Sequence, residues 1–140
     1  MRFWDTSALV ALFLVQGPTA RLRELLAEDI EVAAWVLADV EFRSAIERMR
    51  RENRLAGDES KSCLEAFDGL WRSARVVSLL DTVKLRAKRA LGIHSLRAQD
   101  ALQLGAALVA ADDDPDRFEF VTLDRRLAEG AHREGFTVLP

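Results

Sequence analysis

The chain has 140 residues, 49% of them apolar and 31% charged, with a formal net charge of −3 and a sequence pI near 5.4. That length and apolar content fit one domain with a real core and leave no room for a second, and the acidic balance argues against a general nucleic-acid coat, which would be strongly basic. A single cysteine, Cys63, excludes an internal disulfide, and two scattered histidines give no zinc spacing, so the chain reads as reduced and cytosolic.

Residues 2–4 are read as a short strand ended by Asp5, with Ser7 as the N-cap of a helix over 8–14. The run ALVALFLV imitates the apolar core of a secretory signal. Asp5 stands where a positive segment should be, however, and QGPTARLREL passes straight into an amphipathic helix, so no leader is expected. The run also falls well short of the roughly 20 residues a membrane span needs. Gly17 and Pro18 break the first helix. A second is predicted over 19–27, a strand over 30–35, a helix over 36–51 and a turn over 53–57. A helix over 58–73 carries Leu64, Phe67, Leu70 and Trp71 on its apolar side, and a short strand follows at 75–79. Ser78 or Asp81 would cap the next helix, which stops at Gly92. After a helix over 95–111 comes the acidic turn DDDPDR, then FEFVTL, a strand rich in β-branched and aromatic residues. Asp124 follows at once, then a helix over 125–134, Gly135 and a closing strand over 136–139. Repeated β-then-α order predicts an α/β fold, a three-layer α/β/α sandwich around a mainly parallel, five-stranded sheet with right-handed crossovers.

Within this frame four acids, Asp5, Glu41, Asp100 and Asp124, stand at strand ends or in apolar helix rows. Helical spacing gives the row Leu37, Glu41, Ala45, Met49, flanked by Val40 and Ser44, and the row Leu96, Asp100, Leu104, Leu108. Glu41 and Asp100 are therefore expected on buried sides, where an ionised carboxylate needs a cation or an opening to water. Open α/β sheets bind ligands beyond the carboxyl ends of their strands, and all four acids can converge there. This pattern points to a metal-centred active site.

The residues DTSALV after the first strand, the acid in LADVEFRSAI, the acid in LRAQDALQLGAAL and the acid in FVTLDRRLAEGAHREGF, taken in order, resemble the PIN-domain family, and within it the VapC-type ribonuclease toxins of toxin–antitoxin pairs. The resemblance runs nearly end to end. It implies a PIN-like domain in which Asp5, Glu41, Asp100 and Asp124 bind metal, with Thr6, Ser7 and Thr122 orienting ligands or water. It further implies Mg²⁺ or Mn²⁺, an RNA substrate, a homodimer and a cognate VapB-like antitoxin. The acidic loop ADDDPDRF lengthens the gap between the last two acids.

Hard oxygen donors suit Mg²⁺ or Mn²⁺, and phosphodiester hydrolysis needs the positive charge and activated water that such ions supply. Asp5 and Asp100 are assigned as direct ligands, with Glu41 and Asp124 as further ligands or as groups that position the nucleophile. Arg97, one turn before Asp100, and the run Arg86, Lys88, Arg89 would make a cationic rim for RNA. Against this stands a solvated face of i, i+4 ion pairs involving residues such as Arg43 and Glu47. Asp5 and Asp124 have bland readings as a turn former and a helix cap. His94 and His132 are expected in turn and surface positions, and Trp4, Trp35 and Trp71 in the core or an interface. Ser7 has no histidine to activate it, and DDDPD lacks the glycine and terminal glutamate of a calcium loop. Two other functions compete: a catalytically idle PIN-like binding module, and a receiver-like phosphoacceptor, which would need a lysine where the chain has Asp124-Arg125.

Overall fold

Among the described residues, five short strands form one sheet: β1 (Arg2–Trp4), β2 (Val32–Trp35), β3 (Arg75–Val77), β4 (Glu119–Val121) and β5 (Thr137–Leu139). They lie in the order β3-β2-β1-β4-β5 with every pairing parallel. The structure is a computed structural model that describes residues 1–14 and 17–140. Val15, the end of the apolar run, and Gln16 therefore lie outside the described residues.

Both faces of the sheet are covered, and the strand side chains divide cleanly between two cores. Phe3, Ala33, Trp35, Val77 and Phe120 face one side and Trp4, Val32, Ala34 and Val121 the other. Seven α-helices among the described residues supply the covers: α1 (Thr6–Phe13), α2 (Thr19–Glu28), α3 (Ala38–Arg51), α4 (Gly57–Trp71), α5 (Leu80–Ile93), α6 (Ala98–Ala110) and α7 (Arg125–Arg133). Helices α1 to α4 pack on the second core, where Phe42 stacks on Phe67 with ring centres 3.9 Å apart. Helices α5 to α7 pack on the first. This is the three-layer sandwich that the alternation predicts. No helix among the described residues is long and apolar enough to cross a membrane.

Local chemistry moves several boundaries. Asp5, not Ser7, is the N-cap of α1: its backbone is still extended (φ −77, ψ 167) and its Oδ1 accepts the Ala8 N–H at 3.1 Å, so the helix begins at Thr6. Neither Ser78 nor Asp81 caps α5, whose cap position is Leu79 with no side-chain bond. The end of α7 does follow expectation. Gly135 adopts φ +105, a region open chiefly to glycine, which lets the Phe136 N–H reach the Ala131 carbonyl at 3.0 Å.

The chain leaves β1 towards β2 and β3, then crosses to the other side of β1 to add β4 and β5. The direction of winding thus reverses between β1 and β4, and that switch point is where such sheets open a crevice.

Helices α5 and α6 approach closely at Gly105. A Cβ there would stand 2.8 Å from the Val83 carbonyl oxygen and 3.1 Å from the Ala87 nitrogen, both backbone atoms with little freedom to yield. Replacing a helical glycine by alanine ordinarily stabilises by about 1 kcal/mol. At this position the clash reverses the sign: Gly105→Ala is expected to destabilise by about 1–3 kcal/mol, read as a Tm several degrees lower in thermal unfolding. An unchanged or raised Tm would mean that the two helices are free to separate.

Candidate active site

All four acids reach the crevice, each from the first turn of a helix or the residue that caps it. Asp5 caps α1 directly after β1, Glu41 stands in the first turn of α3, Asp100 in the first turn of α6, and Asp124 caps α7 just beyond β4. Four helix N-termini, with their outward N–H groups and positive dipole ends, therefore face the same space, an arrangement that favours carboxylates and bound anions. The space is a cleft of about 1220 Å³, lined by these four acids together with Thr6, Ser7, Ser44, Gln103 and others.

The loops beyond β1 and β4 are stapled together. The Asp5 N–H donates to the Val121 carbonyl at 3.1 Å, and the Leu123 N–H donates to Ser7 Oγ at 2.9 Å. Ser7 Oγ in turn donates to Asp5 Oδ1 at 2.7 Å, and Thr122 Oγ1 lies 3.5 Å from Ser7 Oγ while accepting the Asp124 N–H at 3.0 Å. Ser7 and Thr122 thus hold the acids rather than react.

Each acid is anchored through one oxygen. Asp124 Oδ1 accepts the Arg126 and Leu127 N–H groups at 2.8 and 2.9 Å, and Asp100 Oδ2 accepts the Arg97 N–H at 3.3 Å. Glu41 Oε2 receives the Thr6 hydroxyl and, at 2.7 Å, Gln103 Nε2. Among the described residues Glu41 Oε1, Asp100 Oδ1 and Asp124 Oδ2 accept no hydrogen bond. The cap foreseen as a bland reading of Asp124 is real, Asp5 is a cap as well where only a turn former was expected, and both residues still stand in the cleft wall.

Asp5 is 4% exposed, and burial pushes its carboxyl up to about 6, against the downward pull of the Ser7, Ala8 and Thr122 donors. The donor set is entirely oxygen, carboxylate and hydroxyl, which suits a hard divalent ion. Among the described residues there is no group of three His, Cys, Asp or Glu side chains placed to hold a metal ion. Magnesium does not require one, since it keeps several waters and commonly takes one or two carboxylates.

Three expectations need correction. The buried stripe of α3 is Ala38, Phe42 and Ile46, while Leu37 and Val40 are exposed, so Glu41 belongs to the cleft wall beside the core row and not inside it. Of the supposed cationic rim only Arg97 lines the cleft. Arg86 pairs with Asp113 and Arg89 with Glu134 on another face, and Lys88 does not line the cleft either. The bland reading also holds for Arg43 and Arg50, both paired with Glu47. His94 is buried, not surface, with Nε2 2.7 Å from Glu134 Oε1.

Arg48, which the solvated-face reading included, and Arg125 and Arg126, which sequence reasoning missed, also line the cleft, with no ion-pair partner among the described residues. Sequence reasoning also missed Gln103, which is 3% exposed. The signal for Gln103 was its place one turn after Asp100 in an otherwise apolar run, on the helix face that Asp100 presents.

Comparisons with known proteins bear on the family and the fold. The chain is 30% identical to Ribonuclease VapC45 of Mycobacterium tuberculosis (strain CDC 1551 / Oshkosh) over 139 residues, 99% of this chain and 94% of that protein. It matches Ribonuclease VapC49 of Mycobacterium tuberculosis (strain ATCC 25618 / H37Rv) to the same extent, 30% over 139 residues with 99% and 94% covered. The crystal structure of FitAcB from Neisseria gonorrhoeae has a TM-score of 0.70 to it, covering 100% of this chain and 97% of that one at 14% identity, a likeness of fold. No family model matches the chain.

The raised Asp5 value makes stability depend on pH. Between the ordinary aspartate value of 3.8 and about 6 the folded state binds more protons than the unfolded chain, so stability falls as pH rises through that window. Asparagine caps helices as well as aspartate, so Asp5→Asn isolates the charge. In chelator-treated protein the variant should be more stable than the parent at pH 7.5 by something on the order of 2–3 kcal/mol, with the gap closing near pH 4. Urea unfolding at both pH values checks this; a gap that does not change with pH would show that burial does not perturb Asp5.

Proposed function

The chain belongs to the VapC ribonuclease family, and from that premise we propose that it is a metal-dependent endoribonuclease, the toxin of a toxin–antitoxin pair. The observation that carries this reading is the meeting of Asp5, Glu41, Asp100 and Asp124 in one cleft at the switch point of the sheet. Asp5 and Asp100 would hold Mg²⁺ or Mn²⁺ directly, with Glu41 and Asp124 as further ligands or as anchors for the attacking water. When bound, such an ion neutralises charge building on the transferring phosphoryl group and makes water a better nucleophile.

The chain's own residues do the rest. Ser7 and the α1 N-terminus fix the Asp5 carboxylate, Thr6 fixes Glu41, and the N–H groups of α7 fix Asp124, so little reorganisation remains when substrate arrives. Arg48, Arg97, Arg125 and Arg126, from α3, α7 and the residue preceding α6, would contact phosphates of single-stranded RNA. The protein would act in the cytoplasm as a homodimer, silenced by a VapB-like antitoxin that covers the cleft.

Two experiments test the reading. Inducing the chain alone in a bacterial culture should arrest growth, and Asp100→Asn at equal soluble expression should relieve the arrest, since it keeps shape and removes the charge. With purified protein, Mn²⁺ should bind the parent and support RNA cleavage, with Asp100→Asn weakened in both. No Mn²⁺ binding and no cleavage of any RNA offered would leave the idle binding module as the better reading.

The arginines carry a separate expectation. Loss of one phosphate contact should flatten the dependence of log Kd on log salt by roughly 0.7 for single strands. Arg48→Ala and Arg97→Ala are each expected to show this in binding titrations with a metal-free RNA oligomer between 50 and 200 mM salt. A slope equal to the parent's would remove that arginine from the RNA path.

A further inference from the structure

Gln103 is a polar side chain almost fully buried in an apolar helix run, and it is only half satisfied. Its Nε2 donates to Thr6 Oγ1 at 2.8 Å and to Glu41 Oε2 at 2.7 Å, which uses both amide hydrogens. Its Oε1 is buried with no hydrogen-bond partner among the described residues. The orientation of the amide follows from chemistry, because turning it over would set a carbonyl oxygen against an ionised carboxylate. With Gln103 donating to it, the Thr6 hydroxyl directs its own hydrogen to Glu41, so three residues from α1, α3 and α6 close a hydrogen-bonded triangle.

For packing alone this is a poor choice. The neighbours of Gln103 along α6 include Ala101, Leu104, Ala106 and Ala107, all buried, and an apolar side chain of the same length would fill the position without leaving an acceptor unpaired. What only the amide supplies is a pair of N–H donors aimed at a cleft acid and its hydroxyl partner. Glutamate has three side-chain torsions to fix, and Glu41 is otherwise held only by Thr6, so the second donor decides which way its free oxygen Oε1 points. Groups that hold a ligand from behind in this way commonly govern metal affinity and rate about 10–100-fold.

We propose that Gln103 is a positioning residue of the hydrolytic site, its amide holding the Glu41 carboxylate and the Thr6 hydroxyl in one fixed arrangement. The inference rests on the functional reading above. It differs in kind, because Gln103 would act through Glu41 and not on substrate or metal.

The test compares Gln103→Met, which keeps length and removes the donors, and Gln103→Glu, which keeps shape and replaces the donor by an oxygen, with the parent. Three quantities are read: kcat and KM for a cleavable RNA, the Kd for Mn²⁺ in the absence of RNA, and Tm. For Gln103→Met the expected pattern is a kcat lowered about 10–100-fold, KM for RNA within twofold of the parent, a weaker Mn²⁺ Kd, and a Tm equal to or above the parent's. Gln103→Glu should lose at least as much activity. Should Gln103→Met fail to fold, Gln103→Asn is used instead. Its amide keeps both polar atoms but sits one methylene short of Glu41, so the same pattern is expected.

If kcat and Mn²⁺ affinity of a folded variant match the parent, the proposal is overturned. A fall in activity that tracks a fall in Tm overturns it too, since the role would then be structural. A parent that neither binds Mn²⁺ nor cleaves RNA fails the functional reading itself and takes the proposal with it, a result distinct from an active parent with an indifferent Gln103.

Discussion

Asp5 leaves the end of the central strand with its side chain almost wholly out of water, and a carboxylate in that position must be given partners or take up a proton. Much of the cleft can be read as the answer to that demand. The chain turns at once into α1, so that Ala8 N–H meets one oxygen, and Ser7 supplies a hydroxyl. Ser7 also receives the N–H of Leu123, which ties the loop beyond β4 to the loop beyond β1 and so fixes where Asp124 begins α7. These partners offset only part of the desolvation, and the carboxyl stays well above its ordinary range. A positive charge placed beside this carboxyl would favour its ionised form, so on the proposed reading cation binding and ionisation of Asp5 would be linked.

The same logic extends around the cleft in weaker form. Glu41, Asp100 and Asp124 are each half-buried, and each has one oxygen tied to the protein and one without a protein partner. Anchoring through a single oxygen fixes direction while preserving a donor for something else. Placement at helix N-termini makes this tolerable without a counter-ion, because the dipoles and unpaired N–H groups of four helices favour negative charge at that end of the sheet.

Most of this was legible in the sequence, for a physical reason: period and punctuation report the position of a residue along its own element. Strand ends at Trp4 and Val121 place Asp5 and Asp124 at the carboxyl edge, and alternation of elements fixes the parallel sheet. What period does not report is rotation of a helix about its axis to better than one residue. The row through Leu37 and Glu41 looked core-facing because Leu37 and Val40 are apolar, yet the core takes Ala38, Phe42 and Ile46, and the neighbouring row is cleft wall. Partners distant in sequence are equally invisible. His94 is buried because Glu134, forty residues on, meets its ring, and Arg86 is spent on Asp113. Gln103 escaped because an uncharged polar residue in an apolar helix reads as tolerated filling until its contacts with Thr6 and Glu41 are seen.

A net charge of −3 gives no warrant against an anionic substrate once charges are located. At physiological ionic strength fields fade over roughly 8 Å, so a polymer in the cleft feels the cleft and little of the distant faces. There the distribution is uneven. Arg2, Arg21, Arg43, Arg50, Arg54, Arg86 and Arg89 are engaged by carboxylates elsewhere on the molecule. Arg48, Arg97, Arg125 and Arg126, by contrast, line the cleft with no ion pair among the described residues, even though four acids stand in the same walls. Opposite charges that share a cleft without pairing are held apart by the backbone, the acids by caps and first turns, the arginines on exposed stems. On the proposed reading, that separation would leave the acids free for cations and the arginines free for phosphate, two demands that one ion-paired network would cancel.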